Sequence, residues 1–321
     1  MKEASFIRQN FPKWKELEKV IETAEKQDPG RLADAYTEIT TDLSFSRSHY
    51  PHSRITVYLN NLASALHNLL YKNKKESVSR IVTFWTREIP LVIYRSRREL
   101  LYSFLLFAVC VGIGCLSTLK DETFPRLILG DGYVDMTLHN IERGEPMAVY
   151  AHGSPVQMFF MIVFNNIRVS FVLFVSGILT GFFTGMVILY NGVMIGAFQT
   201  FFFQQHAGLE SLLAIWLHGT LEMSEMVVTG AAGFALGNGW LFPGTYPRGY
   251  AFREGAKRGL KIVIGGIPIT VVAGFVESFL TRHTWAPDVM RGGFIVACMA
   301  FVVYYYVYLP KRLYHNGISE P

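Results

Sequence analysis

Inside one apolar stretch, IWLHGTLEMSEMVVTGAAGFALG (Ile215 to Gly237), stand an imidazole and two carboxyls: His218, Glu222 and Glu225. Their spacing of i, i+4 and i+7 puts all three on one face of a helix. Three kinds of chemistry are open to such a set. It ties helices together through buried hydrogen bonds, it lines a polar cavity that passes an ion, a proton or a small solute, or it forms a catalytic or metal site. Imidazole and carboxylate oxygen suit zinc, manganese or iron. The zincin signature requires two histidines around a glutamate, and HGTLE carries one. No cofactor and no bound metal is therefore the expectation, and no catalytic residue is assigned.

An ionised carboxylate at mid-bilayer costs about 2.5–3.5 kcal/mol on insertion scales, and each Leu or Val offsets only a few tenths. The polar face must turn toward protein or water. The expectation is an intramembrane polar network that locks helices together, with partners drawn from other apolar segments. Glu277, Asn165, Asn166, Asn191, Thr180, Thr184 and Gln199 are the candidates. Arg168 is either a countercharge for a glutamate or a side chain that snorkels to the headgroups. Gly177, Gly181, Gly185, Gly192 and Gly196, with Gly230, Gly233 and Gly237, form small-residue faces that let helix backbones approach. They serve packing within the chain or a homo-oligomer seam.

These residues belong to a chain of 321 residues, half of them hydrophobic, with 17% charged and a net charge of +5. Soluble domains carry about 25% charged residues. The basic residues flank apolar segments, which fits membrane orientation better than nucleic-acid binding. Met1-Lys2-Glu3 leads into no apolar run, so no cleaved signal peptide is expected. Cys110, Cys115 and Cys298 all fall in apolar segments, and no disulfide is expected.

Residues 1–98 read as a cytoplasmic helical domain. Turns are expected at Asp28-Pro29-Gly30 and at Ser48-His49-Tyr50-Pro51. Leu32, Ala35, Tyr36, Ile39 and Leu43 recur at helical spacing, and so do Val57, Leu59, Leu62, Leu66, Leu69 and Leu70. His49, His52 and His67 are read as solvated or core side chains rather than ligands. Residues 99–312 then read as a multi-span membrane domain, and 313–321 as a cytoplasmic tail. Spans are expected at about 100–119, 168–190, 209–237, 259–280 (kinked at Pro268) and 292–309, with a short or re-entrant piece at 193–206 and, after Ser154-Pro155, a piece that lies at the interface or leads into span 168–190. Residues 120–154 are acidic and placed outside, the basic loop 238–257 inside, and Arg282 to Arg291 in a short outer turn. Both termini are then cytoplasmic if 193–206 crosses, which makes about six membrane segments. No Walker A motif, G-x-S-x-G motif or paired-cysteine zinc site is present.

Taken together, NNIRVSF, the glycine ladder ending in YNGVMIGAF, and HGTLE followed by GAAGFALG resemble the stage II sporulation protein M family of bacterial membrane proteins. The likeness runs from about residue 90 to 312. It implies a polytopic, non-enzymatic protein of the inner membrane that scaffolds peptidoglycan hydrolases during cell-envelope remodelling. YTEITTDLSFSRSHYPHS and YLNNLASALHNLLY look like the longer branch, whose soluble N-terminal region occurs beside MoxR-type ATPases. That branch sits in non-sporulating bacteria, which puts a sporulation role in doubt. By the motif match His218, Glu222, Asn191 and Gly192 are family-signature positions.

Overall fold

In the computed structural model, residues 2–23, 29–71, 78–148, 154–282 and 286–318 are described, and no strand occurs among them. The chain forms two compact units, Met1–Arg80 and Ile81–Pro321.

The first unit contains α1 (Glu3–Glu22), α2 (Pro29–His49) and α3 (Arg54–Tyr71). The apolar stripes read from the sequence meet around Trp14, Ile39, Leu59 and Leu66, all fully buried. Trp14 Nε1 donates to Asp42 at 2.8 Å, so the one polar atom of the largest core side chain is satisfied. The Tyr58 hydroxyl donates to Glu18 at 2.9 Å. Burial and that neighbouring carboxylate push its pKa up to about 12. The Ser48–Pro51 break ends α2, whereas Pro29 and Gly30 open it; Asp28 of the first expected turn lies outside the described residues.

The second unit begins in α4 (Val78–Thr83), whose N-terminal turn belongs to the first, and continues through a π-helical turn (Phe84–Glu88) into α5 (Ile89–Arg95). The expected division at residue 98 falls later than this one. The reason is burial: Ile89, Val92 and Ile93 share a core with Phe174, Val228 and Ile262. Next come α6 (Arg97–Lys120), two short helices α7 (Phe124–Leu129) and α8 (Asp131–Glu142), then α9 (Pro155–Ser176), α10 (Gly181–Gln204) and α11 (Gly208–Leu241). The chain closes with α12 (Arg248–Phe275), a π-turn (Val276–Leu280), α13 (Asp288–Val303), a π-turn (Tyr304–Tyr308) and α14 (Leu309–His315). Parts of the expected outer turn (283–285) and tail (319–321) lie outside the described residues.

Three boundaries differ from the sequence reading. The piece after Pro155 and the first part of the expected span 168–190 form one helix, α9. The break comes at Gly177–Thr180, and 193–206 is not a separate helix but the second half of α10. Asn191-Gly192 does not interrupt α10, because the Asn191 amide returns to its own helix at Val187 O (2.8 Å). The basic residues expected in loop 238–257 ride instead on the first turns of α12, and Pro268 sits within that helix without ending it.

Among the described residues, five helical segments are long and apolar enough to cross a membrane: Arg97–Lys120, Pro155–Ser176, Gly181–Gln204, Arg248–Leu280 and Asp288–His315. The protein is thus an all-α, multi-pass membrane protein. The 34-residue α11 is not among these five, yet at about 1.5 Å per residue it is roughly 51 Å long. It packs against α6, α9, α10, α12 and α13 and is their common neighbour. Most of its second half is buried, from Glu225 through Gly237 with Phe234 alone partly exposed.

The glycine faces explain how α11 fits. A Cβ on Gly177 would run into the Gly233 carbonyl, and one on Gly233 into the Leu173 carbonyl and the Thr184 hydroxyl. Gly237 meets the Gly181 amide, and Gly230 meets Ser103 and Ile188. On the other side of α10, Gly192 meets Cys110, and Gly196 faces Val111 O while Gly114 faces Val193 O. Gly181 and Gly185 meet only side chains, of Phe234 and Leu106. Their faces therefore join α10 and α11 to neighbours in the same chain. Gly233→Ala should destabilise the detergent-purified protein by about 1–3 kcal/mol. Gly292→Ala, whose Cβ would meet nothing within 4 Å, should leave its unfolding midpoint unchanged.

Candidate functional site

The helical face of α11 delivers its polar groups to two places rather than one. His218 and Glu222 point to a cluster with Glu277, and their donor atoms all lie within 4.8 Å of one another. Glu225, one turn further on, reaches a different partner, Tyr306.

In the first cluster His218 is 3% exposed. Its Nδ1 lies 3.1 Å from the Thr281 hydroxyl, and its Nε2 lies 3.8 Å from Glu277 Oε1, too far for a hydrogen bond. The Thr281 hydroxyl itself donates to Val276 O at 3.3 Å, and so it accepts from the histidine. Nδ1 is thus held by Thr281, and Nε2 is the ring nitrogen on the side of Glu277. From α9, Asn166 Nδ2 donates to Glu222 Oε1 at 2.5 Å. Carboxylate oxygens of Glu222 and Glu277 lie within 4.8 Å of each other. Two carboxyls that close together, away from water, need a proton or a cation between them.

The meeting occurs at the π-turn Val276–Leu280, closed by Thr281 N to Val276 O at 3.0 Å. Glu277 and Thr281, four positions apart, share a face there and both reach His218. Single π-turns inside α-helices are frequent at functional sites.

In the second cluster Glu225 is 3% exposed, and its Oε2 accepts from the Tyr306 hydroxyl at 2.8 Å. Its Oε1 has no hydrogen-bond partner among the described residues. The carboxyl lies against Gly266, where a Cβ would collide with it. Tyr306 sits on the π-turn Tyr304–Tyr308. Its neighbour Tyr305 donates to Trp85 O at 2.8 Å, and Trp85 Nε1 donates to Gly265 O at 3.0 Å. Trp85 is itself on the π-turn Phe84–Glu88, whose Glu88 pairs with Lys261. Each of the three π-turns among the described residues thus presents a polar side chain to another helix.

The remaining candidates lie elsewhere. Asn165 and Arg168 are exposed, and Arg168 forms no ion pair among the described residues, so it is not the countercharge of Glu222. Asn191 is engaged with its own helix. Thr184 donates to Leu173 O at 3.1 Å. Gln199 bridges Ser211 (2.8 Å) and Trp216 (3.1 Å) near the start of α11. Sequence reading missed Thr281, Tyr306, Trp85 and Ser103, which donates to Val227 O at 2.7 Å. Hydroxyl, phenol and indole groups are common in apolar helices, and only their tertiary partners mark these four out.

A family model described as stage II sporulation protein M matches residues 103–282. The chain belongs to the stage II sporulation protein M family. The region matched holds all of Asn166, His218, Glu222, Glu277 and Thr281, and leaves Trp85 and Tyr306 outside. A second family model, a domain of unknown function (DUF8413), matches residues 4–72. The chain is therefore consistent with a long form of that family, with an additional N-terminal region. No curated protein and no solved structure matches the chain.

The Glu225–Tyr306 contact gives a direct test. Tyr306→Phe should lower the unfolding free energy in detergent by about 1–3 kcal/mol, because a buried carboxyl loses its donor. Adding Glu225→Leu should recover part of that loss, and a double variant less stable than Tyr306→Phe would contradict the assignment.

Proposed function

We propose that this protein is a scaffold of the bacterial cytoplasmic membrane, whose membrane unit holds envelope-remodelling partners and whose N-terminal unit recruits a cytoplasmic one. The observation that carries this reading is how the interior polar groups are used. Around α11 they join one helix to another, and the second half of α11 meets its neighbours backbone to backbone at Gly177, Gly233 and Gly237. That construction suits a rigid holder better than a path for a solute.

Charge supports an orientation with both termini in the cytoplasm. Arg87, Arg95, Arg97 and Arg98 lead into α6, Arg248, Arg253, Lys257, Arg258 and Lys261 fill the first half of α12, and Lys311 and Arg312 lie in α14. Asp121, Glu122, Asp131, Asp135, Glu142 and Glu145 occupy the opposite connection. There the Thr123 hydroxyl and amide hold the Asp121 carboxyl below the usual range, and Arg126 bridges Asp131 and Asp135. With α11 as a sixth crossing, the basic segments share one side. Peptidoglycan hydrolases are the partners proposed for the outer side, by family membership, and a MoxR-type ATPase for the N-terminal unit.

Two measurements test this. A cysteine placed by Glu122→Cys should react with an impermeant maleimide in intact cells, and one placed by Glu254→Cys only after permeabilisation. His218→Ala or Glu222→Gln should lower detergent stability and the recovery of co-purifying partners together. Unchanged stability with full loss of a cellular phenotype would point to chemistry at the cluster instead.

A further inference from the structure

We propose that His218, Glu222 and Glu277 form a site for one divalent transition-metal ion within the membrane unit. The ligands are His218 Nε2 and one oxygen from each carboxylate. Four observations converge on it.

The first is donor placement. Three donors held about 2.0–2.2 Å from one ion stand about 3.3–3.6 Å apart. Here every pair is already within 4.8 Å, so closure takes a shift of about 1 Å or less, within the reach of carboxylate torsions.

The second is charge. Two carboxylates and one divalent cation sum to zero, which is the condition for keeping all three away from water. A lone proton shared between the carboxyls leaves one negative charge there.

The third is how the histidine is held. Thr281 holds Nδ1 at 3.1 Å, and Nε2 lies toward Glu277 Oε1 at 3.8 Å. Metal-bound histidines almost always have the other ring nitrogen fixed in this way by an outer partner. The fourth is that Glu222 also has such a partner, the Asn166 amide from a third element. One imidazole and two carboxylates match the donor preferences of zinc, manganese and ferrous iron.

The ligands come from α11 and from the π-turn after α12, with α9 in support, so the ion would fasten three elements at one point. No motif in the sequence announces the site, because its third donor lies 55 positions beyond Glu222, on another element.

The test uses the full-length chain in detergent, exchanged into metal-free buffer and then given Co²⁺ or Zn²⁺. Wild type should retain about one equivalent after desalting, with visible d–d absorption in the Co²⁺ form. Zn²⁺ should also raise its unfolding midpoint. His218→Ala and Glu277→Gln should abolish both effects, and Thr281→Val should weaken binding about 10–100-fold. Glu254→Gln, a surface carboxyl, should change neither. Glu277→Gln is isosteric, so it keeps the test informative if His218→Ala does not fold. Wild type that retains no metal above buffer, or metal that survives both ligand substitutions, overturns the site. Wild type that retains no metal yet still recovers its partners would sink the metal site alone and leave the scaffold role standing.

Discussion

A carboxyl group inside a bundle of apolar helices has no water to turn to. It must meet a donor, a proton or a cation supplied by another part of the chain, and that requirement fixes how α11 sits among its neighbours. Glu222 accepts from Asn166 on α9, Glu225 accepts from Tyr306 beyond α13, and His218 faces Glu277 beyond α12. Sliding α11 by one residue turns each group by about 100° and separates it from its partner. Polar contacts of this kind are modest one by one in membranes, about 0.6 kcal/mol on average. Their specificity is larger than their strength, because every alternative register leaves a buried charge unpaired.

The glycine contacts work in the same direction. Where Gly233 meets Gly177 and Gly196 meets Val111, backbone lies directly on backbone. Such contacts are short-ranged and admit little rotation. The polar clusters select the register, and the small residues let the helices come near enough for the clusters to close. Ser103, fully buried, does both: its hydroxyl reaches Val227 O, and it fills the space opposite Gly230.

Among the described residues, three π-turns carry side chains that reach other helices. Glu277 lies on one of them and Thr281 just after it, and both meet His218. Another carries Tyr305 and Tyr306, which reach Trp85 and Glu225, and the third carries Trp85, which reaches Gly265.

The sequence alone determined that the chain is helical, that it enters a membrane after a basic stretch, that the N-terminal region has its own core, and that the carboxyls of α11 needed partners. Hydropathy and helical spacing are local properties, legible one segment at a time. Glu277 and Asn166 were also legible as candidates, since a polar group in an apolar run stands out wherever it falls. Helix boundaries were less so: Asn191-Gly192 looks like an end, and only tertiary contact shows the asparagine returning to Val187 and the glycine seated on Cys110. The tertiary structure alone decided that His218 and Glu222 part company with Glu225, and that Thr281 and Tyr306 complete the two clusters. Those pairings depend on which helix faces meet and on how nearly two backbones approach, and both are settled by packing between distant segments.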